Sequence, residues 1–178
     1  MGRIRCASCG QEHDLSELEP SFDRPDAYFE VPPDERGART LNTAGLCAIR
    51  GVGSEPNRYF VRVVLPVPVR GEARRFCWGI WAEVSEADFV RVGDHWEDPD
   101  QASLPPFAGS LANEVPFMPD DAGPVLGLRG VGHFLGPRDY PEFVLDPASE
   151  HPFAVEQREG IYPERLLEYL SPVIHGAE

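Results

Sequence analysis

The chain has 178 residues, with 16 arginines and no lysine against 30 aspartates and glutamates, for a formal net charge of −14. Without a lysine amine it has no phosphate-cradling Walker lysine, no kinase strand lysine and no Schiff-base chemistry. Its negative field opposes phosphate backbones and anionic lipid, so nucleic acid and membranes are not expected partners, whereas a basic protein is.

The length and the 42% hydrophobic content suit one domain over 1–178 with a buried core. Within it, 3–50 reads as a Cys-rich knuckle and an irregular stretch, and 58–171 as an α+β core. No apolar run reaches the roughly 20 residues that span a bilayer, and the first residues lack the apolar stretch of a signal peptide. A cytoplasmic protein is expected, in which thiols stay reduced and cysteines bind metal more often than they pair.

Cys6-Ala7-Ser8-Cys9-Gly10 opens the chain. Two cysteines at this spacing can place both sulfurs on one metal ion, and the glycine tolerates the tight turn of a zinc knuckle. His13 lies close enough to add an imidazole, and Cys47 is the best remaining candidate for a fourth ligand. The set Cys6, Cys9, His13 and Cys47 predicts a closed, structural zinc site; reduced structural thiols without metal are the plainer alternative.

Between 19 and 57, prolines and glycines punctuate the chain, and only 27–31 and 45–50 read as short strands. Arg58 to Val67 and Arg75 to Val84 are rich in β-branched and aromatic residues and predict an antiparallel hairpin. In the second strand Phe76, Trp78, Ile80, Ala82 and Val84 share one face, and Trp81 falls on the other. Cys77 also falls on that other face and reads as a small buried thiol rather than a nucleophile.

Ser85 is placed to cap a helix over 86–96, with Phe89, Val92 and Trp96 at helical spacing. The stretches 107–115, 124–134 and 141–146 read as further strands. A short helix follows over 152–157, and Pro163 starts a last helix that ends near Pro172. The fold class is α+β: a central antiparallel sheet with a few packed helices and an N-terminal zinc-knuckle-like Cys/His segment.

Two other stretches invite a chemical reading. Glu83, Glu86, Asp88, Asp94, Glu97, Asp98 and Asp100 lie together with Arg91 as the one intervening base, and read as a solvated acidic face. The stretch from His151 to Ile161 holds an imidazole and carboxylates capable of acid–base work, or Glu156 and Arg158 as ordinary surface pairs.

Several motifs together resemble a bacterial family named domain of unknown function 2199. They are Cys6-x-x-Cys9-Gly10-x-x-His13, Leu46-Cys47 with Tyr59-Phe60-Val61-Arg62, Phe76-x-Trp78-Gly79-Ile80-Trp81, Pro106-Phe107-x-Gly109-x-Leu111, and His151-Pro152-x-Ala154-Val155-Glu156-Gln157-Arg158-Glu159-Gly160-Ile161. The resemblance implies one domain and one Cys/His constellation, and no activity. Two functions are therefore carried forward. One is a binding module with structural zinc and a basic protein partner. The other is a small hydrolase-type enzyme with a pocket lined by Trp78 and Trp81 and served by His151 or Glu156.

Overall fold

A computed structural model describes residues 3–5, 12–14, 19–73 and 75–175. Two short strands, β1 (Arg3–Arg5) and β2 (Glu12–Asp14), pair antiparallel near the N-terminus. Two short helices, α1 (Asp26–Glu30) and α2 (Arg36–Arg39), lead into β3 (Thr40–Asn42) and β4 (Leu46–Ile49). The long pair β5 (Arg58–Pro68) and β6 (Arg75–Val84) follows, then α3 (Glu86–Asp94), β7 (Phe107–Leu111), β8 (Arg129–His133) and β9 (Glu142–Leu145). The helices α4 (Pro152–Glu159) and α5 (Pro163–His175) complete the described chain.

The seven strands from β3 to β9 are hydrogen-bonded in chain order, and all of these neighbours run antiparallel. A parallel contact between Val64 of β5 and Glu142 of β9 then closes β5 to β9 into a small barrel. Closure is possible because β5 divides its outer edge: Arg58 to Val61 pair with β4, and Val64 faces β9. The expected antiparallel sheet is thus present, but curled until β5 and β9 meet.

The barrel is small enough that its filling must alternate in size. Val61, Val63, Leu65 and Val67 from β5 and Phe76, Trp78, Ile80 and Ala82 from β6 point inward, as the two-residue period predicts. On β8 the inward positions are Gly130 and Gly132, while Arg129, Val131 and His133 face solvent. A Cβ at Gly132 would come within 2.2 Å of the Phe107 ring, and one at Gly130 within 2.5 Å of the Phe143 ring. The aromatics occupy the volume the glycines leave. Phe153, Ala154, Leu166, Tyr169 and Leu170 of the last two helices pack into the same core.

A second, smaller cluster lies on the outer face of β4, β5 and β6, where α1 covers Cys47, Ile49, Phe60 and Trp81 with Ala27 and Val31. A buried polar network fixes that cover. Asn113 accepts from the Trp81 N–H at 3.0 Å and donates to the Arg24 carbonyl and to Asp26 Oδ1. Trp81 Nε1 donates to the Phe22 carbonyl at 3.0 Å.

Several boundaries differ from the sequence reading. Residues 27–31 belong mainly to helix α1 rather than a strand, because Ala27 and Val31 are buried four residues apart and the Asp26 N–H is held by the Ala112 carbonyl. Helix α5 continues through Pro172 to His175, since an internal proline forfeits a hydrogen bond without having to end the helix. Helix α3 stops at Asp94, with the Ser85 hydroxyl accepting from the Asp88 N–H as expected. No helix among the described residues is long and apolar enough to cross a membrane.

Candidate binding cleft

The residues proposed for zinc lie in different parts of the chain. Ile4 pairs with His13 across the β1–β2 ladder, so the link between these strands carries Cys6 and Cys9, which lie outside the described residues. Cys47 is fully buried in the second cluster, opposite Phe60 in the β4–β5 register. Burial pushes its thiol up to about 11, against a weaker opposing pull from Arg24. Among the described residues no three His, Cys, Asp or Glu side chains converge as a metal site. Across the ladder from Cys47, the buried Asn42 Oδ1 has no partner among the described residues, but a neutral amide oxygen is a poor companion for zinc thiolates. Cys47 is thus an enclosed thiol, and its expected co-ligands Cys6 and Cys9 lie outside the described residues. Cys77 is half-buried on β6.

The residues of the enzyme reading are not brought together. Trp78 is buried inside the barrel and Trp81 on its outer face, on opposite sides of β6. His151 caps α4: its Nδ1 accepts from the Phe153 N–H at 3.1 Å, which leaves Nε2 to donate to the Gly123 carbonyl at 3.2 Å. Glu156 pairs with Arg165 at 2.8 Å and accepts from the Tyr169 hydroxyl. Burial, reinforced by Glu156, pushes the Tyr169 hydroxyl well above the ordinary tyrosine range. Arg158 donates to the carbonyls of Pro147 and Ser149 rather than pairing with Glu156.

The rest of that motif is equally structural. Gln157 Nε2 donates to the Phe143 carbonyl and its Oε1 accepts from the Leu145 N–H, each at 2.8 Å. Gly160, at φ 81°, approaches the Pro68 carbonyl so closely that a Cβ would sit 3.0 Å from it, and Ile161 then bridges to Val69. The segment fastens α4 and α5 to the barrel seam.

The acidic run is less bare than it reads. Arg58 grips both oxygens of Glu83 at 2.9 and 2.8 Å, Arg91 pairs with Asp88 at 2.7 Å, and Arg138 reaches Glu97 at 3.1 Å. His95 hydrogen-bonds Asp98, and this contact with the Asp100 N–H holds the Asp98 carboxyl below its usual range. Glu86 meets the Tyr59 hydroxyl, and of the seven Asp94 and Asp100 have no side-chain partner among the described residues. Arg58 and Arg138, distant in sequence, supply the missing bases.

The most built concave feature lies where α1 meets the turn after β4. This cleft of about 430 Å³ has an apolar floor of Ala27, Val31 and Ile49 and a rim of Arg39, Arg50, Arg58, Glu30 and Glu55. Gly51 lets the turn close on itself, since a Cβ there would meet the Glu55 carbonyl oxygen at 2.1 Å, and Arg50 and Glu55 are thereby brought to one rim. A shallower depression of about 260 Å³ shares Arg39, Ile49 and Arg50. A third, apolar one of about 290 Å³ lies between Leu46, Val92 and Trp96. None of the three is lined by Trp78, Trp81, His151 or Glu156. Sequence reasoning missed this cleft, whose residues come from the punctuated stretch 19–57 and from Arg58 at the start of β5.

These features define an α+β domain on a small closed barrel, with a charged cleft on its outer layer. The chain belongs to the DUF2199 family, described as uncharacterized protein conserved in bacteria, whose profile matches residues 5–161. No curated protein and no solved structure matches it.

Proposed function

We propose that this chain is a binding module that engages a basic protein partner through its acidic exterior. The charge balance carries the reading: were every arginine to take one carboxylate, 14 would remain. The internally committed hydrogen bonds of His151 and Glu156 favour binding over catalysis. We further propose that zinc holds the N-terminal hairpin through Cys6, Cys9 and His13, with Cys47 belonging to the core. Were zinc bound there, it would act as a cross-link between strands and supply no reaction step.

The test is affinity capture with the full chain at low ionic strength, followed by association kinetics with the purified partner. Opposite charges speed encounter, so the association rate should fall steeply as salt is raised. Reversing Asp94 and Asp100 to arginine should slow it further while leaving the melting temperature unchanged. A captured partner that is itself acidic, or whose association ignores salt, overturns the reading.

A further inference from the structure

The charges of the cleft do not balance from within. Arg39 is committed, with Nη1 donating to Glu35 and Nε and Nη2 to the Arg50 carbonyl. Arg58 is committed through Nε and Nη2 to the two oxygens of Glu83. Arg50 makes no side-chain hydrogen bond or ion pair among the described residues, in a chain where carboxylates outnumber arginines. On the α1 wall Glu30 accepts no hydrogen bond among the described residues, although the Arg58 guanidinium is near enough to attract its carboxylate, and Glu55 engages only Oε2, with the Val52 N–H. An arginine without a side-chain partner and a carboxylate without a hydrogen bond thus border one apolar floor among the described residues.

Neither sign alone suits this rim. A bare anion attracted to Arg50 would face Glu30 and Glu55, and a bare cation attracted to Glu30 would face the unpartnered Arg50. A ligand with both charges meets both walls, and a hydrocarbon group covers Ala27, Val31 and Ile49. The volume falls within the roughly 300–1,000 Å³ of small-ligand clefts. We propose that the cleft binds a small zwitterion with a hydrocarbon side chain, an amino acid or a dipeptide. Its carboxylate lies against Arg50, whose planar fork suits two parallel hydrogen bonds, and its ammonium against Glu30. This site is separate from the acidic exterior and does not depend on a protein partner.

The experiment is calorimetric titration of the full chain with L-leucine, leucyl-leucine, isocaproate and isopentylamine. The last two keep the hydrocarbon and one charge each. One zwitterion should bind saturably, about tenfold or more tighter than either single-charge compound, and the tighter of the two fixes the ligand's size. Arg50→Ala and Glu30→Gln each remove one exposed charge, and each should weaken that binding by about tenfold with the melting temperature held. Equal binding of isocaproate makes the cleft an anion site and overturns the proposal; equal binding of isopentylamine makes it a cation site and does the same. Absence of saturable binding by both zwitterions, or unchanged binding in both variants, also overturns it.

Discussion

Phe107 on β7 and Gly132 on β8 face each other across the ladder, and the phenylalanine ring fills the space a side chain at 132 would need. The pair sets the local diameter of the barrel. Gly132→Ala should therefore destabilise the fold by about 1–3 kcal/mol, because the new methyl has no room unless the ring moves. Adding Phe107→Leu should recover part of that loss, as residues in contact are not additive. Urea unfolding of the two single variants and the double variant measures both effects; additive losses would show that the ring and the glycine do not compete for space.

Gln157 gives β9 what a neighbouring strand would give, a donor for Phe143 and an acceptor for Leu145. Gln157→Leu leaves both backbone groups unmatched and should cost about 1–3 kcal/mol. Gln157→Glu keeps the acceptor and loses the donor, so it should cost less than the leucine variant. Amide exchange at Leu145 reads the same event locally: it should accelerate in Gln157→Leu and be partly protected in Gln157→Glu.

Cys47 yields a pH dependence on the alkaline side. Its thiol is held as the neutral form, with a folded pKa of about 11 against an ordinary 9.0, so between these values the unfolded chain has lost a proton that the folded chain keeps. The folded state binds more protons there, and stability falls as pH rises. The contribution is complete below pH 9 and lost as pH climbs through 11. In Cys47→Ala the slope over this window should flatten, which denaturant midpoints taken across it will show.

The same variant separates the zinc ligands. The purified protein should carry about one zinc per chain, lost on Cys6→Ser or Cys9→Ser and kept in Cys47→Ala, as read by elemental analysis. Loss of zinc from Cys47→Ala would instead place Cys47 among the ligands.

The β5–β6 hairpin was legible because the alternation from Phe76 to Val84 is strict and both faces are apolar enough to demand cover. The Ser85 helix start was legible because its cap and first-turn acids are local signals. Closure of β5 on β9 was not, since one contact between Val64 and Glu142 has no signature within either segment. The stretch 27–31 reads as a strand in the sequence, while its buried positions, Ala27 and Val31, show helical spacing only once β4 and β5 are beneath them. The cleft needed Arg39 of α2, Arg50 of the turn after β4 and Arg58 of β5 to converge, and the bases that meet Glu83 and Glu97 lie 25 and 41 residues away. Long-range pairing of this kind leaves no periodic trace.

The β5–β6 ribbon walls the barrel with one face and carries the α1 layer on the other. Phe60 and Val61 are adjacent in sequence and both fully enclosed, yet each belongs to a different cluster. Neither cluster can come apart without baring the reverse side of the ribbon that completes the other. The domain is accordingly one cooperative unit: heat or denaturant should take both layers in a single transition, and a cut that separates residues 19–57 from the barrel leaves Phe60 and Trp81 without their cover rather than releasing a smaller domain.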